Sequence, residues 1–108
     1  MNNASSTLAP IELTIAGPTF YSAKDEAGFF SWLESIPGVA RVAGMGRDLQ
    51  VTLHSTGLSE EALREILSLH WRYQLPMHHL ATFLNPGNEG WFAAPEMYWH
   101  DAVFGVSA

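Results

Sequence analysis

His78-His79-Leu80-Ala81-Thr82-Phe83-Leu84 is the stretch on which the fold turns. It follows Pro76, a residue that ends helices. Its seven residues suit a strand better than a helix. On that reading it closes a chain of alternating strands and helices that begins near residue 11.

Upstream, Ile11-Glu12-Leu13-Thr14-Ile15 alternates apolar and polar residues. That is the period of a half-buried strand with Ile11, Leu13 and Ile15 inward. Gly17-Pro18 breaks or bends it, and Thr19-Phe20-Tyr21 can continue it past the kink. Ser22-Ala23-Lys24-Asp25 has the spacing of a capping box. The helix it opens runs to about Ile36, with Phe29, Trp32, Leu33 and Ile36 on one face and Phe30 on the flank. Pro37-Gly38 stops it. Residues 39–44 read as a second strand, Gly44-Met45-Gly46 as a turn and Leu49-Gln50-Val51-Thr52-Leu53 as a third strand. Ser59, followed by Glu60 and Glu61, starts a second helix that ends before Pro76. Ala62, Ile66, Leu69 and Tyr73 form its core face, flanked by Leu63 and His70. Glu61, Arg64, Glu65, Ser68 and Arg72 fall on or towards the wet side. Trp71 lies away from the core face, near Arg64 and Leu67.

Downstream of residue 84, Asn85-Pro86 and Ala94-Pro95-Glu96 each look like a helix start with Pro in the first turn. They predict helical pieces near 86–92 and 95–104. The order strand, helix, strand, strand, helix, strand predicts an α+β fold of ferredoxin-like arrangement, with two helices on one face of an antiparallel sheet. The other face must be polar or covered. The aromatic tail, with Trp91, Phe92 and Trp99, is the expected cover. Residues 1–9 read as a flexible tail and 10–108 as one domain.

Composition narrows the function. With 47% hydrophobic residues, the 108-residue chain has ample material for one core. The net charge of −6 disfavours nucleic acid and suits a basic protein partner. There is no cysteine, which excludes disulfides, zinc–thiolate sites and Cys nucleophiles and fits a reducing cytoplasm. Residues 1–10 have no basic residue and no apolar run, unlike a signal peptide. No apolar run approaches a membrane span.

The residues offer little catalytic chemistry. His54, His70, His78, His79 and His100 show no metal-ligand spacing, and neighbours such as His78 and His79 on a strand would face opposite ways. The expectation is His70 on a helix flank, the others at the surface, and no metal or other cofactor. No nucleophile-elbow sequence is present. The acidic pairs Asp25-Glu26 and Glu60-Glu61 are explained as helix starts. Gly44-Met45-Gly46-Arg47 lacks the Lys and Ser/Thr of a phosphate loop. The reading is therefore of a protein that is not an enzyme.

The runs from Phe29-Phe30-Ser31-Trp32-Leu33-Glu34-Ser35-Ile36-Pro37-Gly38-Val39, through Gly46-Arg47-Asp48-Leu49, to Trp91-Phe92 and Pro95-Glu96-Met97-Tyr98-Trp99-His100 resemble small bacterial proteins of the immunity type. Such proteins neutralise toxins of interbacterial competition. The similarity spans most of residues 11–105, and no catalytic motif comes with it. It implies a cytoplasmic protein that binds a cognate toxin domain and blocks it.

On the residues themselves, Glu61, Glu65, Trp71 and Arg72 on the outer face of the second helix are the candidate partner contacts, since Trp and Arg dominate interface hot spots. Two rival readings remain. One is an interaction module or homodimer pairing through a strand edge or the aromatic tail. The other is a small-ligand or enzymatic domain using His54, His78, His79 and His100.

Overall fold

The computed structural model describes residues 10–55 and 57–105. The tail read at residues 1–9 lies outside them, as do Thr56 and the last three residues. Three strands form one antiparallel sheet: β1 (Ile11–Ile15), β2 (Val39–Met45) and β3 (Asp48–Leu53), in the order β1-β3-β2. Ile11, Leu13 and Ile15 stand opposite Leu53, Val51 and Leu49. Leu13, Ile15, Leu49, Val51 and Leu53 are buried, so the alternation that predicted β1 and β3 sets the core face.

β2 carries a bulge between Val39 and Arg41. A bulge inserts one residue and resets the alternation. That is why Val39 and Val42, three positions apart, both pack against the core. The hairpin turns at Gly46-Arg47, one step later than Gly44-Met45-Gly46 suggested. Gly46 has φ +62°, as the first central position of a type II′ turn requires.

Two helices pack on this face: α1 (Ala23–Ser35) and α2 (Glu60–Arg72). Ser22 caps α1 by accepting from the Asp25 amide at 3.0 Å, and Asp25 Oδ2 accepts from the Tyr21 amide. Ser59 caps α2 by accepting from the Ala62 amide at 3.1 Å. Phe29 and Leu33 of α1 join Ala62, Leu63, Ile66 and Leu69 of α2 in the sheet's core cluster. The result is a compact α+β domain, and none of its described helices is long and apolar enough to cross a membrane.

The expected fourth strand is not formed. Residues His78–Phe83 make a 3-10 helix. Their buried side chains explain why. Met77, Leu80 and Phe83 are all buried, at a spacing of three. That is the 3-10 repeat, which stacks i and i+3 on one side. A strand would need a spacing of two and would bury Leu84, which is exposed. Among the described residues β1 therefore pairs only with β3, and its outer edge is open.

The tail's expected role as a sheet cover is also corrected. On the second sheet face Glu12, Thr14 and Arg41 are exposed, and Thr52 Oγ1 bonds Glu12 Oε2 at 3.1 Å. This face is polar and needs no cover. The tail, with short helices α3 (Glu89–Phe92) and α4 (His100–Phe104), packs instead on the 3-10 helix, through α4, and on α2, through its aromatic side chains. The Arg64 guanidinium lies over the Trp91 ring at 4.3 Å, and Tyr98 reaches Ser68 and Trp71. Leu67 is completely buried, although it lies away from the predicted core stripe. Asn88 anchors the tail's start, with Nδ2 donating to the Phe83 carbonyl at 2.8 Å, and Trp99 Nε1 donates to the Phe92 carbonyl at 2.7 Å.

Candidate functional site

The outer side of α2 and the tail meet in a run of aromatic rings. Trp91 meets Trp99, Trp99 meets Tyr98 and Tyr98 meets Trp71, each edge-on. Trp99 is its interior member, 2% exposed. The run emerges at Tyr98, 48% exposed, and Trp71, 50% exposed. Edge-to-face geometry places positive ring edges on negative ring faces, so the two exposed rings support each other. Tyr98 is pinned further by its hydroxyl, 3.2 Å from Ser68 Oγ.

Beside these two rings is a depression of about 290 Å³ lined by Trp32, Ser68, Trp71, Arg72 and Tyr98. Trp32 comes from α1 and is held by its indole N–H, which donates to Glu65 Oε1 at 2.7 Å. A second cleft, of about 460 Å³, lies between residues 16–19, Tyr21 and Asp25 on one side and residues 72–76 on the other. Tyr73 lines it. Desolvation, and then the negative charge of Asp25, hold its hydroxyl above the ordinary tyrosine pKa. Arg72 borders both hollows.

The four predicted contacts separate here. Trp71 and Arg72 come together at the depression. Glu65 is half-buried and committed to Trp32, so it shapes the site from behind. Glu61 is exposed and lines neither hollow. Trp32, Ser68 and Tyr98 complete the depression and were not singled out as contacts. Tyr98 and Trp71 meet only because the tail folds back on α2, and no local periodicity carries that information.

The histidines also differ from expectation. His70, read as packing on the flank of the helix's core face, is fully buried there. Its Nδ1 is 2.8 Å from the Ile66 carbonyl, which only accepts, so Nδ1 carries the proton. His79 is half-buried, and its Nε2 lies 3.3 Å from His70 Nε2. His79 Nε2–H is then the donor to His70. Burial lowers the pKa of His70 to about 4. Burial, then the charge of His78, lowers that of His79. His54 and His78 are exposed, and His100 sits beside Asp101 at 3.1 Å. Among the described residues no group of three or more His, Cys, Asp or Glu side chains converges as a metal site would require.

Compared with known proteins, the chain matches no family model, no curated protein and no solved structure.

Proposed function

We propose that this protein is a binding protein of the immunity type, which docks a basic toxin domain on the face made by α2 and the tail and holds it inactive in the cytoplasm. The observation that carries the reading is the exposed Trp71–Tyr98 pair, two large rings left half in water on a rigid backing. Trp and Tyr bury much area at little entropic cost, the property of interface anchors. Charge gives the partner's sign. Residues 60–105 carry six acidic side chains against two arginines, and Arg64 is already paired with Glu60 at 2.8 Å. In this reading the scaffold is a ferredoxin-like sheet that lacks the fourth strand among the described residues.

Mixing the protein with the toxin domain encoded beside its gene, and measuring the mass of the mixture by light scattering, tests the proposal. A one-to-one complex that loses its toxin activity supports it. Two unmixed monomers contradict it. The rival homodimer draws on the open outer edges of β1 and β2 among the described residues. It predicts twice the monomer mass without any partner.

A further inference from the structure

We infer that the cleft between residues 16–19 and the end of α2 takes an extended loop of the partner, and that Gln74 reads the backbone of that loop. This contact rests on the proposed docking of a toxin domain at α2 and adds the chemistry of a second hollow. The cleft, of about 460 Å³, falls within the roughly 300–1,000 Å³ of ligand-sized sites. It adjoins the Trp71–Tyr98 face directly, because Arg72 lines both hollows. A partner seated on the two rings has the cleft within reach.

Gln74 singles the cleft out. Its φ of +58° is a left-handed conformation that glycine holds without strain. Gln74 is exposed, and its side chain makes no hydrogen bond among the described residues, so the fold draws nothing from it. Strained positions of this kind collect at binding sites. Gln74 lines the cleft, and its amide offers both a carbonyl and an NH2 group. A peptide unit presents the matching N–H and C=O.

The opposite wall agrees. Among the described residues, 16–19 make no backbone–backbone hydrogen bond. The Gly17 amide is already given to Asp48 Oδ1 at 2.9 Å, and Pro18 has none. What remains is the wall's carbonyls and the amides of Ala16 and Thr19, the groups with which an extended chain pairs. The charges are balanced, with Asp25 on one side and Arg72 on the other. Such a lining suits a neutral backbone better than a small anion or cation. Tyr21, also on the lining, is 88% exposed, a ring for the same segment to cover.

The test titrates the toxin domain encoded beside the gene into wild type, Gln74→Gly and Gln74→Ala by calorimetry, with a melt of each protein alone. Gln74→Gly should melt higher than wild type, because the strain is relieved, and yet bind at least about tenfold more weakly. Gln74→Ala keeps the strain and loses the amide, so it should bind as weakly without the gain in melting. A purely structural Gln74 would not separate stability from binding in this way. Hydrogen exchange of wild type gives a reading that needs no variant: the Thr19 amide should exchange more slowly in the complex than alone. Equal affinity of wild type and Gln74→Gly, or unchanged Thr19 exchange in the complex, overturns the inference and leaves the docking at Trp71 and Tyr98 standing. If wild type forms no complex at all, both fall.

Discussion

Tyr98 sets its ring edge-on to Trp71, with 5.1 Å between centroids, and places its hydroxyl 3.2 Å from Ser68 Oγ. Through these two contacts the tail becomes part of the α2 surface. Tyr98→Phe removes the hydroxyl contact alone and should lower stability by at most about 1 kcal/mol, since the bond is solvent-exposed. Tyr98→Ala also removes the ring pair and should cost about 1 kcal/mol more. Urea titration of both variants measures the difference.

Glu65 and Glu61 lie one turn apart on α2 but should respond differently. Glu65 accepts from the Trp32 indole at 2.7 Å in a half-buried setting. Glu65→Ala leaves that N–H without a partner and should cost about 1–2 kcal/mol. Glu65→Gln keeps an acceptor and should cost less. Glu61 is exposed and its side chain makes no hydrogen bond among the described residues, so Glu61→Ala should stay within about 0.5 kcal/mol of wild type. Denaturant midpoints of the three variants check the order.

Gln74 is the one described non-glycine residue with positive φ, at +58°. It sits just past the end of α2, where the Leu75 amide donates to the His70 carbonyl and the Gln74 amide to the Trp71 carbonyl. This is the Schellman pattern, whose left-handed position favours glycine. Gln74→Gly should raise stability by about 0.5–1 kcal/mol, because the side chain's left-handed strain exceeds glycine's entropic cost. Gln74→Ala, which retains the strain, should give no such gain. Thermal melts separate the two.

Acid should loosen the domain as His70 takes up a proton. His70 is lowered from 6.5 to about 4 by burial. Between those values the unfolded chain binds more protons than the folded one, so stability rises with pH across the window. It is fully present above pH 6.5 and is lost as pH falls towards 4. At about 1.4 kcal/mol per pH unit, roughly 2 kcal/mol disappears between pH 7 and 5. The lowered value of His79 acts in the same direction. Urea titrations at several pH values measure the slope, and a flat profile from pH 7 to 5 would contradict it.

Where neighbours in sequence are neighbours in space, the reading from residues holds. Ser22 and Ser59 cap their helices, and β1 and β3 bury the residues that alternation put inward, Ile11 only in part. Residues 78–84 have the length and apolar content of a strand but not its period. The buried set Met77, Leu80 and Phe83 repeats every third residue and was legible as a 3-10 turn. The site was half legible. Trp71 and Arg72 follow from the helical wheel of α2, which shows what faces away from the sheet. Trp32 and Tyr98 join them only through packing of α1 and the tail. The His70–His79 contact likewise depends on the 3-10 helix folding back against α2.

The claim that Trp71 anchors a partner is tested most directly by calorimetric titration of the neighbouring toxin domain with wild type and Trp71→Ala. Trp71 is half exposed, so its removal should leave the fold intact, as circular dichroism would show. The account predicts at least about thirtyfold weaker binding, corresponding to a hot-spot loss of about 2 kcal/mol or more. Equal affinity of the two proteins for the toxin domain would contradict it.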